Sequence, residues 1–139
     1  LPDLPGARDH GIGAAPDGFW VVGGRTNGLA NVHPESWALV HDTWETRPGL
    51  PTARAGMAGT TLPDGRVVAC GGEGDPEDVD GVFDEVELYG EGAWSALEPM
   101  PIPIHGAGAG VFDGGVLVPG GADVRGFAAI DTVQLLILP

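Results

Sequence analysis

The chain is 139 residues long, the size of one domain, and 42% of it is hydrophobic, enough to build a core. Its 25 glycines and 13 prolines exclude a mainly helical protein. Six arginines, no lysine and 20 acidic residues leave a net charge of −14, which repels phosphate backbones, excludes nucleic acid as a partner and removes mechanisms that need a lysine, from a P-loop to a Schiff base.

In chain order, Leu1 to Pro5 reads as the tail of an outer strand without a tryptophan. Pro5-Gly6-Ala7-Arg8 leads into a strand of small residues, His10 to Ala14, and Pro16-Asp17-Gly18 predicts a tight turn, because glycine takes the positive φ that such turns demand. Trp20-Val21-Val22 follows, apolar without alternation, which predicts a strand buried on both faces, and it ends in Gly23-Gly24. A polar loop leads to an alternating strand, Ser36 to Val40, and then to an outer strand around Trp44.

The same pieces return. Pro51-Thr52-Ala53-Arg54 precedes the small-residue strand Gly56 to Thr60, the turn Pro63-Asp64-Gly65, the apolar run Val68-Ala69-Cys70 and Gly71-Gly72. An acidic loop from Glu73 to Asp80, the alternating strand Glu85 to Tyr89 and an outer strand around Trp94 complete this unit. In the third, Pro101 leads to Ile104 where arginine is expected, then to Gly106 to Val111, the turn Asp113-Gly114-Gly115 and Leu117-Val118-Pro119-Gly120-Gly121. Pro119 removes a ladder donor, so that strand end is expected to be locally unpaired. Thr132 to Ile137 is a third strand, and no fourth follows it.

Gly23 to Gly71 spans 48 positions and Gly71 to Gly120 spans 49, a period that marks a repeat architecture. Four antiparallel strands per unit, small residues innermost, is the layout of a propeller blade. The doubled glycines, the Pro-x-x-Arg and the tryptophans spaced 50 apart make the chain resemble the kelch repeat. The resemblance implies an all-β fold: about three four-stranded blades, near 6–47, 52–97 and 102–138, forming one partial propeller over 1–139 whose last blade lacks its outer strand. Trp-Asp repeat blades fit less well, since that dipeptide is missing.

Three blades cannot close a ring that typically takes about 4–8. The chain is therefore expected to be the carboxyl half of a six- or seven-bladed bacterial kelch protein, or to pair with a second copy. It begins at Leu1 without methionine, which implies a processed or excised start, and shows no signal peptide. No run approaches the ~20 apolar residues of a membrane span, so no membrane partner is expected, and the compartment stays open.

By the same resemblance, the loops after the doubled glycines and the turns into the innermost strands line the channel mouth. They supply the candidate ligand-binding residues Arg8, His10, Arg25, Asn27, Arg54, Glu73 and His105, with Thr26 and Asp123 beside them. Guanidinium reads carboxylates bidentately, so the arginines make an anion site or, alternatively, Arg8 and Arg54 brace neighbouring blades through main-chain carbonyls. Gly23, Gly24, Gly71, Gly72, Gly120, Gly121, Trp44 and Trp94 are structural. The histidines lack metal spacing, and the acidic loop fails the EF-hand template at Pro76. Ser36 and Ser95 stand in no nucleophile elbow. Copper radical chemistry of the galactose oxidase kind needs tyrosine ligands, and the one tyrosine, Tyr89, and Cys70 are misplaced for it. No cofactor and no metal are expected. The leading expectation is a non-enzymatic scaffold that binds a protein or peptide. The alternative, from another class, is a sialate mutarotase-like propeller that binds an acidic sugar.

Overall fold

The computed structural model describes residues 1–14, 18–74 and 81–139. Pro16 and Asp17 of the first turn, and the acidic loop from Asp75 to Asp80, lie outside the described residues. The first sheet holds β1 (Ile12–Ala14), β2 (Phe19–Val22), β3 (Ser36–Val40) and β4 (Thr43–Arg47) in that order. The second repeats it with β5 (Ala58–Thr61), β6 (Val67–Cys70), β7 (Val86–Gly90) and β8 (Ala93–Ala96). The third has three strands, β9 (Gly110–Phe112), β10 (Gly115–Pro119) and β11 (Val133–Leu136). All pairs are antiparallel, and among the described residues there is no helix long and apolar enough to cross a membrane.

The innermost strands are shorter than the sequence predicts, and the reason is local. His10, Gly56 and Gly106 sit at φ 55, 66 and 67, which turns the chain out of its own ladder. The freed amides bond to the neighbouring sheet instead: Gly56 N–H donates to His10 O and Gly106 N–H to Gly56 O, each at 2.8 Å. The third ladder stops farthest from its doubled glycine. Ile12↔Val22 and Ala58↔Cys70 pair the residue just before the doubled glycine, whereas β9 and β10 stop at Leu117↔Gly110. Pro119 is thus unpaired on the β9 side, as a residue without N–H must be, while on the other side it still stands opposite Val133 of β11.

The doubled glycines are where one sheet meets the next. Gly71 has φ 62, and a Cβ there would collide with the Ile104 carbonyl oxygen, while Gly72 N–H donates to that same oxygen at 2.8 Å. Any side chain would force the second and third sheets apart.

Two apolar clusters fill the gaps. Between the first and second sheets lie Trp20, Val22, Ala38, Met57, Val67 and Ala69, and between the second and third lie Val68, Cys70, Leu88, Ile104, Val116 and Val118. The strand β6 is buried at every position because both its faces are covered, which is what its unbroken apolar run predicts. The outer tryptophans tie the connections down: Trp94 Nε1–H donates to Pro48 O at 2.9 Å and Trp44 Nε1–H to Pro2 O at 3.2 Å. The outer faces of the first and third sheets carry exposed apolar side chains, with Phe19 on one and Val133, Leu135 and Ile137 on the other.

Cys70 ends β6 of the second sheet, buried, its thiol 3.6 Å from Ala58 O. Burial pushes the thiol pKa from 9.0 up to about 12, and the Arg54 charge offsets this only in part. The folded chain therefore holds its proton where the unfolded chain has lost it. Stability is unaffected below pH 9 and falls between pH 9 and about 12, by up to about 1.4 kcal/mol per pH unit. Urea midpoints measured against pH should show this slope in the native chain and lose it in Cys70→Ala. Equal slopes in both would remove the thiol from the account.

Candidate functional site

Past each doubled glycine the chain adds a bridge one residue wide. Arg25 bridges Asp9 and Val32, Glu73 bridges Ala55 and Val82, and Ala122 bridges His105 and Ala129. Arg25, Glu73 and Ala122 hold one position in three successive units, so their backbones point alike and neighbours around the axis meet. Arg25 reaches across the first gap: its Nη1 donates to Glu73 Oε1 at 2.6 Å and its Nε to Asp9 Oδ1 at 3.2 Å. Glu73 in turn faces the third sheet, its Oε2 3.6 Å from His105 Nδ1.

The His105 ring is fixed by its other nitrogen. Nε2 lies 2.9 Å from Val124 O, and a carbonyl only accepts, so Nε2 carries the proton. The other ring nitrogen, Nδ1, faces Glu73 Oε2. His10 Nε2, 3.5 Å from Arg25 Nη2, accepts, since a guanidinium has nothing but donors. The side chains of Glu73 and His105 are 5% and 8% exposed, yet among the described residues Glu73 Oε2 has no hydrogen-bond partner.

These groups form the floor of an open cleft of about 920 Å³ on the loop side. Leu29 and Phe127 stand on its rim, with Ala122 and Ile130 along the third-sheet wall. Phe127 is fully exposed. Of the seven candidate residues, His10, Arg25, Glu73 and His105 meet in this cleft. The other three are elsewhere. Asn27 lines a separate shallow depression with Gly28 to Asn31. Arg8 stacks on Trp37 at 4.6 Å and pairs with Glu35 at 2.7 Å.

Arg54 is wholly buried within the second sheet, pairing with Glu87 at 2.6 Å and donating to Gly71 O at 2.7 Å and Thr52 O at 2.9 Å. It braces backbone and does not reach the channel mouth. Thr26 bonds the His33 ring at 2.9 Å, and Asp123 is exposed outside the cleft lining. Among the described residues no three His, Cys, Asp or Glu side chains converge as a metal site. Sequence reasoning missed Leu29 and Phe127. An aromatic beside Gly126 in a loop has no periodic signal, so nothing in the sequence marks it.

No family model matches the chain. It is 36% identical over 140 residues to Kelch-like protein terF of Aspergillus terreus (strain NIH 2624 / FGSC A1156), an alignment that takes in 96% of this chain and 30% of that protein. Among solved structures, that of YjhT superposes with a TM-score of 0.81 over 99% of this chain and 45% of the other, at 13% identity, a likeness of fold alone. The chain spans less than half the length of either relative. Doubled glycines at a fixed period, antiparallel sheets of three and four strands stacked through them, and both likenesses lead to one conclusion: the chain belongs to the kelch-repeat β-propellers, and its sheets are propeller blades.

Proposed function

We propose that this chain is a recognition module that binds a protein or peptide partner through the cleft on its loop face. The observation that carries this is a charged, largely buried floor with an unsatisfied acceptor, set beneath a fully exposed aromatic. A desolvated polar centre ringed by an aromatic anchor is how protein partners are held. An acidic sugar is served less well, because Arg25 is already engaged by Glu73 and Asp9 and Arg54 is buried against Glu87.

A random peptide library selected on the immobilised chain is expected to give binders whose affinity falls about 30-fold in Phe127→Ala, the scale of an aromatic hot spot. Phe112, exposed away from the cleft, is the control, and Phe112→Ala should leave affinity unchanged. Equal losses in both variants, or a thermal upshift with N-acetylneuraminate and no peptide enrichment, would overturn the reading.

The same reading places further blades against the exposed outer faces of the first and third blades, supplied by a longer polypeptide or by a second copy. Two copies would sediment at twice the 14.2 kDa chain mass, and a lone 14.2 kDa species would assign the role to a longer polypeptide.

A further inference from the structure

We infer that His105 is a positioning residue: it holds the loop that carries Phe127 in place over the cleft floor. The inference deepens the peptide-binding reading and rests on it for what Phe127 does. Ala122 bridges His105 on one side and Ala129 on the other, and between Ala122 and Ala129 the chain runs out as a loop, Asp123 to Ala128. Its apolar side chains do not anchor it, since Phe127 is fully exposed and Val124 is 47% exposed. Its main chain closes weakly. Asp123 N–H reaches Ala128 O at 3.4 Å, where the matching pair in the first unit, Thr26 N–H and Asn31 O, stands at 3.0 Å. Gly126, at φ 91, makes the turn beside Phe127. His105 adds a firmer hold. Its Nε2–H donates to Val124 O at 2.9 Å from a side chain only 8% exposed, so the bond is shielded from water. That donor is present whether or not Nδ1 also carries a proton. On its other edge the ring stands against Glu73, so one imidazole spaces the rim of the cleft from its floor. The bridge itself does not ask for this side chain, because Ala55 makes the same bridge to Glu73 in the second unit. A loop held in its binding conformation before the partner arrives loses less freedom on binding.

The test compares His105→Ala, His105→Asn and His105→Gln in the full chain, by backbone amide NMR relaxation without ligand and by affinity for a library-selected peptide. Gln places its N–H₂ near where Nε2 stands, whereas Asn places its own near Nδ1 and falls short of Val124 O. The amides of Asp123 to Ala128 are expected to gain fast motion in the Ala and Asn variants while β9, β10 and β11 stay rigid. Peptide affinity should fall about fivefold in both, the worth of one hydrogen bond. His105→Gln should restore most of the order and most of the affinity. In a Phe127→Ala background, His105→Ala should cost nothing further, because the loop then has no anchor to position. A loop as ordered in His105→Ala as in the native chain, an Asn variant equal to Gln, or losses that add in the double variant would each overturn the role. So would loss of the third blade in His105→Ala, which would make the histidine a support of the blade rather than of the loop. Binders that depend on Phe127 and ignore His105→Ala would sink this inference and leave the proposed function standing. If no peptide is selected, the proposed function falls, and the relaxation comparison still decides whether His105 orders the loop.

Discussion

Arg54→Ala is expected to lower the unfolding free energy by about 3–5 kcal/mol, the cost of stranding one partner of a buried ion pair. Its guanidinium, 0% exposed, binds Glu87 Oε2 at 2.6 Å, Gly71 O at 2.7 Å and Thr52 O at 2.9 Å. Glu87 Oε1 takes the Thr52 N–H at 3.0 Å, so the pair joins the Pro-x-x-Arg segment, the doubled glycine and β7 in one network. Without the guanidinium, a carboxylate stays buried and uncompensated.

The third blade shows how the position is filled without charge. There Ile104 replaces the arginine and Gln134 replaces the glutamate, and Gln134 alone holds both Ile102 N–H (3.0 Å) and Ile102 O (3.1 Å). In the first blade Arg8 is retained and stacks on Trp37, the residue standing where Glu87 does. The double variant Arg54→Ile, Glu87→Gln copies the third blade and should recover most of the loss, a coupling on the order of 2 kcal/mol. Urea unfolding followed by tryptophan fluorescence measures both. A loss below about 1 kcal/mol in Arg54→Ala would show that the pair does not hold the second blade together.

That exchange explains what could be read in advance and what could not. The doubled glycines, the Asp-Gly turns and the alternating strands are local chemistry, set by φ and by period-two burial, so composition and spacing reveal them. Arg25 and Glu73 share one column of the repeat, and the period alone makes them neighbours around an axis. What the period cannot say is that Arg25 turns toward Glu73 while Arg54, which looks like an equally good loop arginine, turns inward. Burial decides that, and burial depends on Glu87, 33 positions away. The paired loss of Arg and Glu in the third unit is a trace of this in the chain itself. Leu29, Phe127 and the Val124 carbonyl that sets the His105 tautomer belong to loops with no repeat, and only their placement in space joins them to the site.

Trp20→Ala should cost about 3–5 kcal/mol, the range for emptying a large aromatic site in a core that cannot fully collapse. Trp20 is 1% exposed at the gap between the first two blades. Its ring meets Tyr89 of the second blade at 4.8 Å and 60°, Tyr89 meets Trp94 at 5.5 Å, and the Arg47 guanidinium lies 5.7 Å from the Trp20 ring. Tilted aromatic pairs of this kind add to simple area burial. Phe19, the next residue of β2, points the other way and is 53% exposed, so Phe19→Ala should cost well under about 1 kcal/mol. Comparable losses at the two positions would mean that β2 does not present opposite faces to the second blade and to solvent. The interface Trp20 fills also carries Arg25 to Glu73, so a Trp20→Ala chain that remains folded should lose the 2.6 Å Arg25–Glu73 contact before it loses its strands. Hydrogen exchange would show this as early opening between the first and second blades, with the second and third still protected through Ile104 and the doubled glycine at Gly71.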